Sequence, residues 1–276
     1  MRNSFLRILL CVHLFIFAIS LCAQNTDSRF DWSASAAINS NYIWRGLYCG
    51  GLSLQADATV SYAGIFANMW WNVGATDWTF QHLIPDVGVS SVFSPWGLSV
   101  YYIHMYYFDY YADGTRSRFF DMHNYVPGGG GTTGEWRIAY RISDKIPLSM
   151  LLATRTFGRD GYIDQQGNLR RAYSTYIELG YDFTWGKNWL LATRLGMTPA
   201  KSLYTAYQGN FAICHIGLNL RKTWSFSTSS KLSPNLTAFA NLMLNPYQVN
   251  KNNLILPIEQ AGNQKLNLNI GCQVVL

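Results

Sequence analysis

The last stretch of the chain, residues 265–276 (KLNLNIGCQVVL), alternates without a break. Leu266, Leu268, Ile270, Cys272, Val274 and Leu276 fall on one face of an extended strand, and Asn267, Asn269, Gly271 and Gln273 fall on the other. A one-sided strand that runs to the final residue is unusual in a soluble protein, whose ends tend to fray. It is what a closed barrel requires, because the last strand must pair with the first to remove both sheet edges. Repeated apolar-out, polar-in segments of about ten residues are the signature of transmembrane barrels.

The rest of the chain repeats the pattern. Residues 31–45 place Trp32, Ala34, Ala36, Ile38, Tyr42 and Trp44 on one side and Ser33, Ser35, Asn39, Asn41 and Arg45 on the other. Similar segments follow at residues 52–60, 65–73, 84–93, 98–110, 135–142, 148–157, 173–185, 189–197, 211–224 and 236–244. The segment 98–110 is apolar on both faces, so its phase stays open, and Pro85 suits the start of the segment it opens. Connections near Gly64, Pro95, Asp144 and Gly186 are short, while residues 74–81, 112–134, 158–170, 199–210 and 245–265 make longer ones. Short and long ends alternate, as in barrels with periplasmic turns and external loops, except at the short first external loop 46–51 and the longer turn 225–234. The expected fold is all-β: a closed antiparallel transmembrane β-barrel of about 12 strands spanning residues 24–276.

Composition agrees. Charged residues make up 13% and aromatics 16%, against about 25% charged in ordinary soluble domains. A secreted β-sandwich is the competing class. Aromatics concentrate at strand ends (Trp32, Tyr42, Trp44, Tyr62, Trp71, Trp96, Tyr110, Trp136, Trp185, Trp189, Trp224), where membrane interfaces favour amphipathic rings. Residues 1–23 have an export-signal pattern: Arg2 and Arg7, an apolar middle from Ile8 to Leu21, then Cys22-Ala23. Losing that leader takes the formal charge from +6 to about +4. No Lys/Arg cluster forms a nucleic-acid footprint. Cys49, Cys214 and Cys272 remain, an odd number without metal-ligand spacing, so neither a disulfide framework nor a metal or other cofactor is expected.

The inward face carries Arg45, Asp57, Asp86, Glu135, Arg137, Arg141, Arg155, Glu178, Asp182, Arg194, His215 and Arg221. Both signs are present with arginine in excess. Such charges can set the field of a water-filled pore and tune its ion selectivity, or pair across a narrow lumen and fill it; the sequence leaves both open. The loop 112–134, with Pro127 before four glycines, either folds over the pore or stays outside it; it lacks P-loop spacing. A barrel lipase would need a serine paired with a histidine such as His104. A rim protease would draw on Asp109, Asp113, Asp121 and His123. Neither constellation is complete enough to expect an enzyme.

Ser40-Asn41-Tyr42-Ile43-Trp44-Arg45-Gly46, followed by Leu52-Ser53-Leu54-Gln55, resembles the opening of the TorF-type porins, a family of bacterial outer-membrane barrels. The match covers residues 39–57. Leu276 departs from the aromatic usual at the end of outer-membrane strands. The resemblance implies a Gram-negative outer-membrane location, with Arg45 at the lumen or rim near the first external turn. The function expected is passive diffusion of small hydrophilic solutes or ions through a porin. A closed structural or surface-binding barrel and a barrel enzyme of lipase or protease type are the alternatives. Expected partners are outer-membrane lipid and lipopolysaccharide, the barrel assembly machinery and the solutes themselves.

Overall fold

The computed structural model describes residues 30–63, 65–74, 80–90, 97–107, 120–125, 131–226, 234–247 and 266–276, with backbone alone for 80–90 and 107. The leader, Trp96, Tyr110, Asp109, Asp113 and most of the loops 112–134 and 245–265 lie outside those residues.

The first half contributes β1 (Phe30–Asn39), β2 (Tyr42–Trp44), β3 (Leu47–Gly50), β4 (Ser53–Tyr62), β5 (Ile65–Gly74), β6 (Phe80–Ser90), β7 (Leu98–Tyr107) and β8 (Thr132–Arg141). The second contributes β9 (Leu148–Gly158), β10 (Gly161–Ile163), β11 (Leu169–Arg171), β12 (Thr175–Trp185), β13 (Trp189–Thr198), a 3-10 turn (Leu203–Thr205), β14 (Ala212–Ser225), β15 (Asn235–Leu244) and β16 (Leu266–Val275). Among the described residues the main sheet closes in the order β1-β16-β15-β14-β13-β12-β9-β8-β7-β6-β5-β4. The closing seam pairs Ser35 with Val275 and Asn39 with Gly271. Leu276 adds a reciprocal pair of backbone bonds with Ala34. The alternation at the C-terminus therefore serves closure: Leu266, Leu268 and Ile270 are 61, 51 and 55% exposed outward, while Asn267 and Asn269 are buried inward.

Both chain ends of the sheet, Phe30 and Val275, lie at one rim, here the terminal rim, with the paired residues Tyr62 and Ile65. The far rim carries the small hairpins β2–β3 and β10–β11 and the 3-10 turn. Ile38, Leu54, Met69, Val100, Ile138, Leu152, Leu218 and Leu242 stay exposed on the outer face. Trp185 and Trp189 stack at the terminal rim, 5.9 Å between centroids.

Several local expectations change. The opening segment does not run on to Arg45. The barrel strand stops at Asn39, and Tyr42 and Trp44 belong to a separate hairpin. Tyr42 is buried and Trp44 packs against the Tyr204 ring, so neither joins an outer aromatic girdle. Pro85 lies in mid-strand; pairing of β6 with β7 is absent at Ile84 and Pro85, as a residue without an N–H dictates. The phase of β7 resolves with Leu98 and Val100 outward and Ile103 and Met105 fully buried. Register shifts at Asn72/Val73, Gly134/Glu135 and Gly196/Met197 lie near the far rim. The last turns Cys214 inward together with its neighbour His215, since an extra residue breaks the period of two.

Candidate functional site: a hairpin seated inside the barrel

The hairpin β2–β3 has a two-residue turn, Arg45-Gly46, with φ of 49° and 80°. Two successive positive φ values are the demand of a type I′ turn, which glycine meets freely and arginine meets at some strain. The turn crosses the lumen. A Cβ on Gly46 would sit 2.2 Å from the carbonyl oxygen of Cys214 on β14, so only a glycine allows this approach. Asn245 Nδ2 donates to Gly46 O (3.3 Å) from the end of β15.

Arg45 reaches the β8 wall. Its Nη1 and Nη2 donate to Glu135 Oε2 and Oε1 at 2.8 and 2.9 Å, and Nη1 also donates to Tyr204 Oη at 2.7 Å. The guanidinium lies 4.7 Å from the Trp44 ring centroid and 4.6 Å from that of Tyr176. Arg137 donates from Nε to the same carboxylate, and the Arg155 guanidinium also lies over the Trp44 ring, 5.3 Å from its centroid. Around this cluster Leu47, Ala153, Tyr176, Leu203, Tyr204 and Cys214 form a small apolar core inside the barrel, with Trp44, Cys49, Leu151 and Tyr207 against it. A fork-to-fork pair with its charges hydrogen-bonded and its flanks apolar is the arrangement in which a buried ion pair is tolerated. Burial pushes the Cys49 thiol up to about 12, so it stays protonated.

The charges continue along the β12–β13 wall. Tyr176 Oη donates to Glu178 Oε2 (2.6 Å) and lies 2.8 Å from His215 Nδ1. Arg194 bridges Glu178 (3.5 Å) and Asp182 (2.8 Å), and Arg141 reaches Asp182 at 3.3 Å near the terminal rim. Beyond the far rim, Asp160 accepts from Ser174 N (2.7 Å) and Ser174 Oγ, whose oxygen in turn accepts from Leu203 N (2.9 Å). That relay ties the β9–β12 loop to the 3-10 turn that holds Tyr204. Burial raises the Asp160 carboxyl above its usual range.

Arg45, Glu135, Arg137, Arg141, Arg155, Glu178, Asp182 and Arg194 thus form two paired groups. Asp57 is held by Asn68 Nδ2 at 2.7 Å. Arg221 lines the remaining lumen with Nε on Asn219 Oδ1 (3.0 Å). Asp86 sits opposite Asn68 in register, and its side chain lies outside the described residues. Sequence reasoning missed Tyr176 and Tyr204 as partners of Arg45; the glycine after Arg45 was the signal of a tight turn, and nothing marked where it would dock. His104 lies beside the Tyr102 and Phe120 rings, 6.5 and 6.2 Å between centroids.

Below the hairpin, toward the terminal rim, the lumen keeps a cavity of about 420 Å³ lined by Asp57, Trp70, Arg137, Asn219, Arg221 and Asn241 among others. Among the described residues no group of His, Cys, Asp and Glu could hold a metal ion.

No protein-family model matches the chain, and no curated protein sequence matches it. Among solved structures it is similar to the NanC porin (10% identity, 89% of this chain and 98% of that one, TM-score 0.43). It is also similar to the KdgM porin (12%, 87% and 97%, 0.43) and to OmpF of Salmonella typhi in complex with daunomycin (9%, 90% and 97%, 0.41).

Proposed function

We propose that this chain is a porin-like channel of a bacterial outer membrane, a transmembrane barrel of about twelve strands that passes small hydrophilic solutes or ions by passive diffusion. One observation carries the reading: an apolar, exposed outer face encloses an inner face of amides and charges. That is the reverse of a soluble barrel, and it suits lipid outside and water inside. Residues 1–23 would direct export, and the assembly machinery and lipopolysaccharide would be its partners in the membrane. The seated hairpin supports a second reading, a closed barrel acting through its far-rim loops.

Conductance of the refolded, heat-modifiable protein in a planar bilayer separates the two. Discrete steps are expected for the channel, and a folded barrel that stays silent would favour the closed form. If the lumen conducts, Arg194→Ala or Arg221→Ala should shift its selectivity toward cations, since each removes one inward positive charge. Unchanged reversal potentials would remove those residues from the permeation path. The membrane face has its own test. Ile270→Arg places a charge on the outer band and should cost about 2–4 kcal/mol of folding stability in lipid. A cost well under 1 kcal/mol would argue that β16 does not face lipid.

A further inference from the structure

The register of the last strands sets asparagines side by side. Asn219 of β14 pairs with Asn241 of β15, and Asn241 pairs with Asn269 of β16. Asn269 Oδ1 accepts the backbone N–H of Asn41, at 3.2 Å, just beyond β1. All four line the cavity below the hairpin, with the Trp70 indole in the same lining.

Polar atoms in this wall lack partners. Asn39 is 4% exposed, and its Nδ2 is buried without a hydrogen bond; Asn241 Oδ1 is in the same condition. Arg221 spends Nε on Asn219 and is exposed to the lumen, which leaves its guanidinium open to a guest. A buried donor or acceptor left unpaired is costly, and a turn of the Asn39 or Asn241 amide toward the cavity that both residues line would let it meet a guest's hydroxyl.

The guest's chemistry follows from the mixture. Asn39 and Arg221 offer donors, whereas Asn241 and Asp57 offer acceptors. A hydroxyl donates and accepts, so neighbouring hydroxyls can meet planar amide and guanidinium groups together. Asp57 in the same cavity opposes an anion, and Arg221 opposes a cation. Trp70 adds an apolar ring surface for a C–H face. The volume of about 420 Å³ lies within the usual range for small-molecule sites, about 300–1,000 Å³.

We infer that the amide-lined cavity beneath the hairpin binds a neutral polyhydroxylated solute, a sugar of one or two rings. The inference rests on the channel reading for the solute's route, and it names the class of solute that route prefers.

Titration calorimetry on the full chain in detergent tests binding without requiring conduction, with glucose, maltose, cellobiose and sucrose as the probes. Saturable binding of at least one is expected, weakened about tenfold or more by Asn241→Leu and by Arg221→Leu, each checked for heat-modifiable folding. Absence of saturable binding for all four overturns the inference. So does tighter binding of gluconate than of any of these sugars, which would make this an anion site. Sugar binding by a protein that never conducts keeps the inference and sinks the channel reading. Conduction without saturable sugar binding does the opposite.

Discussion

Glu135→Ala is expected to raise single-channel conductance several-fold, or to turn a silent barrel into a conducting one. Glu135 is the sole acid in direct contact with Arg45 among the described residues, and it holds Arg137 as well. Removing it leaves those two guanidiniums facing one another, with Arg155 close by over Trp44. Breaking a buried pair from one side costs about 3–5 kcal/mol because the surviving charge is uncompensated. The hairpin has a way to avoid that cost: β2 and β3 pair with each other and lie outside the closed sheet, so they can swing toward water with the barrel intact. The cost should therefore appear as an unseated hairpin and a wider lumen. Glu135→Gln, which keeps the volume, should give most of the same effect. Conductance equal to the parent for both variants would show that the hairpin is held by its apolar contacts and that the ion pair is incidental.

How much of this was legible in the sequence depended on whether the period of two survived. In β16 it survives from Leu266 to Val275, and the outward and inward residues follow it. In β8 and β9 the inward placing of Glu135, Arg137 and Arg155 also follows from alternation. Alternation fails where the chain leaves the ladder. Carrying the period from Ile38 to Trp44 put Tyr42 and Trp44 outside. The backbone instead turns at Ser40 and Asn41, which are fastened to β16 by Ser40 N to Ile270 O (2.9 Å) and Asn41 Nδ2 to Leu268 O (2.6 Å). Cys214 joins His215 on the inward face because of a single extra residue that no composition rule marks. β7 was ambiguous for a physical reason: its inward Ile103 and Met105 are fully buried, so they are as apolar as the outward Leu98 and Val100. The partners of Arg45 were beyond reach, because Glu135 and Tyr204 stand 90 and 159 positions away.

Gly46→Val should unseat the same hairpin by a route that involves no charge. A valine at φ +80° is strained in itself, and its Cβ would meet the Cys214 carbonyl oxygen at 2.2 Å and the His215 Cβ at 3.3 Å. The first obstacle is backbone within the barrel wall, which cannot move aside as a side-chain tip could. The turn must withdraw, taking Arg45 from Glu135 and Trp44 from Tyr204. Conductance should rise to about the level of Glu135→Ala, with folding into the heat-modifiable form retained because the closed sheet is untouched. The double variant makes the stronger test. Two mutations that release one element share a single effect, so the combined conductance should match the larger single change, whereas independent actions would add. An additive increase, or a Gly46→Val protein that conducts like the parent, would mean that the tip of the hairpin does not set the bore, and the constriction would have to be sought on the barrel wall among Arg137, Arg155 and Glu178.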